Sequence, residues 1–393
     1  MPQQPALLDT MPSAADFYGL YWNRQPFVVR SAIPEDAMAG LISADELAAL
    51  SMEETSRSRM VTSAGKPQDW LCRFGPFSEQ DFANAGNKDW SLLVQNVEQF
   101  HPDTASLLRY FNFAPRWLMD DIMVSFSAPG GTVGPHIDSY HVFLVQGQGK
   151  RRWKISHEPL LHDAFIQGME LKVLETGFEG TDVKVACGDV LYVPPRFGHE
   201  GATLESALTF SVGFLGPKLS ELFGAYSQYL SDLEDGDQRY VGDGLTNDSA
   251  GFTLHADAVD TIRHRLTDSL NTANFTQWLV EFFTESSHED FGEYTERDDS
   301  LSIREFDAKL RQGSSLYKPA YVKFAVTGSP CDGFYLGFDS QSFALDERLY
   351  PLVCALMEEH PVSMANHPTM GDHPSTSGFL LALYNHQALE FTA

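Results

Sequence analysis

The chain has 393 residues, 43% of them hydrophobic, and no apolar run reaches the roughly 18 residues that a membrane-spanning helix needs. Its 54 acidic and 27 basic residues give a net charge of −27, which disfavours nucleic acid and anionic membranes as partners and favours a basic one, although solubility alone also accounts for such a balance. Its four cysteines form no CxxC pair and its first residues lack a secretory pattern, so we expect a cytoplasmic protein with reduced thiols.

Short apolar runs rich in β-branched and aromatic residues dominate residues 1–215 and predict a strand-rich domain. Two of these runs adjoin each other. Tyr140 to Gln146 is predicted to be a buried strand, and Lys150 to Ile155 is predicted to be the next one after a Gly-Gln-Gly turn. The other runs include DIMVSFSA, DVKVACGDVLYVPP and SALTFSVGF.

A candidate metal site lies just before the first of these two strands. In GPHID, His136 and Asp138 are two positions apart, so on an extended segment both side chains project to one face. Such a pair alone is commonly a feature of surface loops. Here it follows a glycine-rich frame, SAPGGTVG, that permits a close approach of the backbone, and the later segment GDVLYVPPRFGHEG delivers His199, 63 positions further on.

Two histidines and one carboxylate leave three coordination positions open, which is typical of non-haem iron oxygenases. A zinc hydrolase also uses such ligands, but it typically draws two of them from one helix, as in HExxH. The candidates here lie on predicted strands, and this placement favours a β-barrel oxygenase.

Arg151 begins the strand that follows the turn. A basic side chain that points into a barrel is a buried unpaired charge unless an anion pairs with it, and the distal carboxylate of a 2-oxo acid would suit its bidentate fork. Alternation places Arg151 on the face opposite Arg152, and the period alone leaves open which of the two points inward.

From residue 216 onward the pattern changes to helical segments and then to a mixture of a hairpin and helices. Leu219, Leu222, Phe223, Tyr226 and Leu230 form an apolar stripe that a two-fold partner or the chain's own barrel would cover. The last part suggests a winged-helix module, a fold often used on DNA. This region holds 28 acidic and 11 basic residues, so we interpret it as a structural or protein-docking module instead.

Four segments of the chain together resemble the JmjC-type ribosomal oxygenases, and the resemblance is strongest to bacterial arginine hydroxylases that act on a large-subunit ribosomal protein. The segments are DFYGLYWNRQPFVVRSAI, GPHIDSYHVFLVQGQGKRRWKI, GDVLYVPPRFGHEG and ALTFSVGF. The resemblance implies an α+β chain with a double-stranded β-helix, the JmjC or cupin-like barrel, over residues 1–215. It further implies a helical dimerisation region over 216–290, a winged-helix-like domain over 291–393 and a homodimer.

By this resemblance His136, Asp138 and His199 would hold Fe(II), and Arg151 would bind the cosubstrate 2-oxoglutarate. Ser211 is a candidate for an assisting hydroxyl, with a hydrogen-bonded core serine as the equal alternative. Dioxygen would oxidise the β-carbon of an arginine in a basic ribosomal protein. The open alternatives are a histidine hydroxylase, a lysine demethylase, or a cupin-like binding protein without catalysis.

Overall fold

The computed structural model describes residues 4–161, 164–233, 236, 238–243, 245, 252–285, 296–329, 333–372 and 374–392. The chain up to Gly216 forms one unit, and the described residues from Pro217 onward belong to a second. Among the described residues, no helix combines the length and the hydrophobicity that crossing a bilayer requires.

Two facing sheets build the described part of the first unit. The larger has nine strands in the order β1-β2-β10-β7-β12-β6-β5-β3-β4, and the smaller has the order β11-β8-β9. The strands are β1 (Ala6–Leu8), β2 (Phe27–Val29), β3 (Ser58–Thr62), β4 (Leu71–Phe74), β5 (Trp90–Val94), β6 (Met119–Ser127), β7 (His141–Gln148), β8 (Arg151–Pro159), β9 (Gly180–Val185), β10 (Val190–Val193), β11 (Phe197–Thr203) and β12 (Ala207–Phe214).

Both faces of β7 are buried, which explains its uninterrupted apolar sequence. Val142 and Leu144 pack with residues of β8, β9 and β11 between the two sheets. Phe143 and Val145 point the other way, into the cluster that the N-terminal segments cover. A strand with apolar neighbours on both sides loses the alternation of a half-exposed strand.

The first unit also contains short helices. They are α1 (Ala14–Asp16), α2 (Glu35–Ala39), α3 (Ala44–Leu50), α4 (Glu79–Ala85), α5 (Val97–Phe100) and α6 (Pro102–Ala105). In α3 the Ser43 hydroxyl accepts from the Glu46 amide while the Glu46 carboxylate accepts from Ser43, so both ends of a capping box are present. Leu47 of this helix is buried in the same core cluster as Phe143.

The predicted α+β class with a double-stranded β-helix is confirmed. The two adjacent strands were predicted at 140–146 and 150–155, and they run over 141–148 and 151–159. Gly149 joins them with a positive φ of 67°. A side chain at Gly149 would collide with the carbonyl oxygen of Ser206, so glycine is needed there for space as well as for conformation.

The second unit contains helices and two small sheets around its own core. Its helices are α7 (Leu219–Ser231), α8 (Ala256–Leu270), α9 (Ala273–Thr284), α10 (Ile303–Arg311), α11 (Tyr350–Met357), α12 (Thr369–Asp372) and α13 (Pro374–Asn385). Its strands are β13 (Leu316–Tyr317), β14 (Ala325–Ser329), β15 (Gly333–Phe338), β16 (Gln341–Leu345) and β17 (Glu390–Phe391).

The expected C-terminal hairpin is present, because β14 pairs antiparallel with β15 and β15 with β16. Helix α9 packs closely on this sheet, where a side chain at Gly337 would collide with the carbonyl oxygen of Val280. The predicted boundary at 290/291 lies outside the described residues. The division into regions 216–290 and 291–393, the dimerisation role and the winged-helix likeness stay predictions.

Candidate metal centre

His136, Asp138 and His199 come together although they lie on separate segments. The amide of His136 donates to the carbonyl of His199 at 3.0 Å, and the amide of His199 donates back to the carbonyl of His136 at 2.9 Å. With this pair of backbone hydrogen bonds, the centroids of the two imidazole rings lie 4.1 Å apart. The Asp138 carboxylate lies 3.4 Å from Nε2 of His199. One ligand atom from each of the three residues lies within 4.8 Å of the others.

The backbone also orients both imidazole rings. Nδ1 of His136 lies 2.9 Å from the Gly134 carbonyl oxygen, and Nδ1 of His199 lies 3.0 Å from the Phe197 carbonyl oxygen. Because a carbonyl only accepts, each Nδ1 carries the proton and each Nε2 keeps its lone pair. Metal-binding histidines are typically oriented by such outer hydrogen bonds.

The charges of the cluster suit a divalent cation. Burial, together with the neighbouring His199, lowers the pKa of His136 to about 4, so this ring is neutral at physiological pH. Burial alone would raise the pKa of Asp138, but the adjacent His199 and His136 side chains outweigh it and hold the pKa below its usual value. Two imidazoles and one carboxylate form the donor set of a facial triad, which fits iron.

Arg151 is buried at 4% exposure. Its Nε donates to Thr203 at 3.2 Å, its Nη1 to Thr209 at 3.1 Å and to Ser125 at 3.5 Å, and its Nη2 to Ser127 at 3.1 Å. Among the described residues it forms no ion pair. Burial lowers its pKa to about 10, so the guanidinium stays charged at neutral pH and its charge is not balanced.

The choice between the two arginines is settled by exposure. Arg152 is exposed and lies 3.7 Å from the Asp182 carboxylate, whereas Arg151 points inward and stacks over the Trp153 ring at 5.2 Å. The inward strand face is therefore the one that carries Arg151 and Trp153.

One cavity of about 280 Å³ brings together all five candidate residues. It is lined by the three clustered residues, by Arg151 and by Ser211, together with Arg59, Ser125, Tyr140 and Trp153 among others. Ser211 lies in the cavity lining, whereas the hydroxyls that bond Arg151 belong to other residues. The role of Ser211 stays a prediction.

The four hydroxyls around Arg151 were missed at the level of sequence. The sequence did contain a local signal for two of them, because Ser125 and Ser127 are two positions apart in VSFSA and therefore share one face of β6. Thr209 is paired with Ser125 across the β6–β12 ladder, and Thr203 is paired with Arg151 across the β8–β11 ladder. Those pairings depend on register between distant strands and are not readable from local period.

Acidic side chains lie near Tyr140 of the cavity wall. Asp121 acts electrostatically on Tyr140, a cavity-lining residue. A β-carbon added to Gly213 would lie 3.5 Å from Oδ1 of Asp121 and 3.7 Å from the Tyr140 ring. The two side chains therefore flank this glycine. Burial and the nearby Asp120 raise the pKa of Asp121 to about 7. A cationic group close to Asp121 would restore its ionised form.

Comparison with known proteins gives consistent findings. Residues 106–222 match the model of the JmjC domain. The chain is 37% identical over 372 residues to the ribosomal protein uL16 3-hydroxylase of Escherichia coli K12, covering 94% of this chain and 95% of that protein. The crystal structure of E. coli ycfD superposes with a TM-score of 0.83 at 32% identity over 96% of this chain and 97% of that one. The structure of YcfD, a ribosomal oxygenase from E. coli, in complex with cobalt and 2-oxoglutarate superposes with a TM-score of 0.80 at 31% identity. The match covers 96% of this chain and 98% of that one.

Proposed function

This chain belongs to the JmjC-domain ribosomal oxygenases, and on that premise we propose that it is an Fe(II)- and 2-oxoglutarate-dependent dioxygenase acting on a large-subunit ribosomal protein. The proposed reaction is hydroxylation of an arginine side chain at its β-carbon. The observation that carries the proposal is a buried, charged guanidinium with no acidic partner in the described part of the chain, which lines the same cavity as a facial triad.

His136, Asp138 and His199 would hold the iron through the two Nε2 atoms and the carboxylate. When bound, iron with 2-oxoglutarate and dioxygen supplies the oxidation that converts a C–H bond to C–OH, while 2-oxoglutarate becomes succinate and carbon dioxide. The chain's own contribution is to orient both imidazoles through the carbonyls of Gly134 and Phe197.

Arg151 would bind the distal carboxylate of 2-oxoglutarate. A guanidinium offers parallel donors to a carboxylate, and the pairing would balance a charge that the fold leaves uncompensated. The hydroxyls of Ser127 and Thr209 hold the guanidinium in place. Because these bonds exist without ligand, little side-chain entropy would be lost on binding.

Two features support an arginine as the target. The net charge of −27 favours encounter with a basic ribosomal protein, but that steering is screened within about 8 Å at physiological salt, so selection belongs to the pocket. At the cavity wall, the Tyr140 hydroxyl offers an acceptor that would pair with a guanidinium, and the Asp121 carboxylate lies nearby across Gly213.

The cytoplasm is the proposed location, since that is where the proposed substrate is made, and the acidic surface argues against nucleic acid as a partner. A homodimer through α7 is also proposed. Tyr226 of this helix is buried against Trp278, with ring centroids 4.9 Å apart, whereas Leu219 and Phe223 are exposed. Large exposed apolar side chains on one helix favour a partner surface.

A competition between peptides tests the proposal. We expect a mass gain of one oxygen, together with succinate release, on a peptide of the uL16 protein with arginine at the target position. A lysine variant of that peptide should react poorly, because an ammonium leaves acceptors shaped for five planar donors unpaired. Preference for a histidine-target ribosomal peptide would discard the arginine assignment. Absence of succinate release with every peptide would favour a binding protein without catalysis.

A further inference from the structure

The inner face of the large sheet continues from the metal cavity to the edge strand β4. Ser125 of β6, Leu93 of β5, Arg59 of β3 and Phe74 of β4 are paired in succession across the sheet. Directly paired residues of antiparallel strands project to the same face. The first three residues of this row line the metal cavity, so Phe74 projects to the same side of the sheet as that cavity.

Phe74 ends the row and is open to solvent. β4 is the last strand of the sheet, and in the described part of the chain its only strand neighbour is β3. Phe74 is 61% exposed, whereas Leu93 is 3% exposed. A second cavity of about 260 Å³ has Phe74, Arg59, Leu93 and Gln95 in its lining, and we call it the Phe74 cavity. Because Arg59 and Leu93 line both cavities, the Phe74 cavity adjoins the metal cavity.

The two ends of the metal cavity differ in their proposed ligands. At one end Ser125 and Ser127 of β6 accept hydrogen bonds from Arg151, the residue proposed to bind 2-oxoglutarate. Toward its N-terminal end the same strand leads to Asp121, which acts electrostatically on Tyr140 where the target arginine is proposed to bind. β6 therefore runs from a target end to a cosubstrate end.

The Phe74 cavity lies at the target end. β5 runs antiparallel to β6 and places Ser91 beside Ser127, at the cosubstrate end. Gln95 follows on the same face of the chain further along β5, so it lies toward the target end. Gln95 lines the Phe74 cavity, whereas Ser91 lines the metal cavity. A polypeptide whose arginine enters at the target end therefore lies close to the Phe74 cavity.

The lining of this cavity favours an apolar ligand group. It contains two arginines and no acidic residue, so a lysine or arginine side chain would find no carboxylate there. An acidic side chain would leave the Phe74 ring in water, and acidic side chains are scarce on a basic substrate. A large apolar side chain would cover the ring and remove apolar surface of both groups from water.

The distance from the metal cavity indicates which substrate residue can reach Phe74. β4 lies three strands from β6, which is about 14 Å at a strand spacing of about 4.8 Å. An extended polypeptide advances about 3.4 Å per residue, so a residue about four positions from the target arginine spans this distance.

We propose that the Phe74 cavity binds a large apolar side chain of the substrate polypeptide, about four positions from the target arginine, with the Phe74 ring as its main contact. This inference rests on the proposed hydroxylation of an arginine. It gives the enzyme a second point of recognition besides the pocket for the arginine itself. An arginine without an apolar residue at that distance is then a poor substrate.

Binding of a fluorescein-labelled uL16 peptide that carries the target arginine tests the proposal. Fluorescence anisotropy is measured with the full-length protein in the presence of Mn(II) and 2-oxoglutarate, so that binding is observed without turnover. Phe74→Ala should weaken peptide binding about tenfold, as is typical when an interface aromatic is truncated, and Phe74→Leu should restore most of the affinity. The Kd for 2-oxoglutarate should not change, because Phe74 lies away from the cosubstrate end.

Leu71→Ala is the matched control. Leu71 belongs to the same strand and is 63% exposed, but its position three residues from Phe74 places it on the opposite face. This variant should bind the peptide like the wild type. In turnover assays with iron, Phe74→Ala should raise KM while kcat stays within about twofold of the wild type, since the lost contact is remote from the reacting atoms.

Alanine replacements in the peptide locate the partner of Phe74. Replacing the apolar residues near the target arginine one at a time should reveal one position whose loss weakens binding to the wild type but not to Phe74→Ala, the signature of a direct contact. Such coupling supports the proposal even if no hydroxylation is detected, a result that would count against the proposed function alone. Equal binding by Phe74→Ala and Leu71→Ala, no peptide position coupled to Phe74, or no peptide binding by the wild type would each overturn the proposal.

Discussion

Replacing Arg151 with methionine isolates the electrostatic part of 2-oxoglutarate binding. Methionine keeps much of the length and apolar volume of the side chain but removes the charged fork. In the ligand-free protein the change removes a buried charge and also four hydrogen bonds to hydroxyls. Ser127 and Thr209 retain other partners in Ser91 and Gln146, so we expect only a small change in the melting temperature of the ligand-free protein.

The effect on affinity should be large. Removing one partner of a buried, hydrogen-bonded charge pair typically costs about 2–5 kcal/mol, because the other charge stays buried alone. The neutral hydroxyls around the vacated guanidinium keep this part of the cavity polar, so we expect a cost in the lower half, at about 2–3 kcal/mol. This corresponds to a rise of roughly 30- to 150-fold in the Kd for 2-oxoglutarate.

Isothermal titration calorimetry of 2-oxoglutarate into protein loaded with Mn(II), which replaces iron without turnover, measures this change directly. Bound metal should be unaffected, and the rise in melting temperature that 2-oxoglutarate gives the wild type should be lost. Arg152→Met supplies the control, since its guanidinium is exposed beside Asp182. An unchanged Kd in Arg151→Met, or the same defect in Arg152→Met, would refute the reasoning.

Two further predictions concern the metal and pH. His136→Ala and His199→Ala should each reduce the metal content to a small fraction of the wild-type value, while the circular dichroism spectrum stays native. Metal content is measured by mass spectrometry of the purified protein. Full metal occupancy in both variants would contradict the ligand assignment. Burial raises the pKa of Glu98 from 4.5 to about 8, so the fold favours its protonated form. The free energy of unfolding should therefore fall by on the order of a few kcal/mol as pH rises from about 4.5 to about 8. Urea unfolding of Glu98→Gln should show a weaker pH dependence, with the part due to Asp121 retained, and identical profiles for both proteins would contradict it.

The parts of the fold that the sequence predicted are those with a local cause. Apolar runs with turn residues between them located β7 and β8 to within a few residues, and the two-residue spacing of His136 and Asp138 indicated a shared face. Helices α2 to α6 were not predicted, because residues 1–215 were interpreted as strand-rich. For α3 the signal was present in Ser43 and Glu46, three positions apart as a capping box requires.

What the sequence did not predict depends on pairing between distant strands. The hydroxyls around Arg151 come from β6, β11 and β12, and Arg59 reaches the cavity from β3. A shift of one residue in any of these ladders would turn the side chains to the opposite face. The register is fixed by burial of both sheet faces, which is a property of the assembled core and not of any one strand.

Arg151 has a feature that indicates function better than a motif does. In an acidic chain guanidiniums commonly pair with carboxylates, as Arg30 pairs with Asp189 and Arg73 pairs with Asp81. Arg151 has no such partner among the described residues, although burial makes an unpaired charge more costly there than at the surface. A fold that keeps such a cost at a cavity wall gives up stability in the empty state, and the free energy is recovered only when an anion binds. On this argument, small anions should stabilise the wild type more than they stabilise a protein in which Arg151 is methionine.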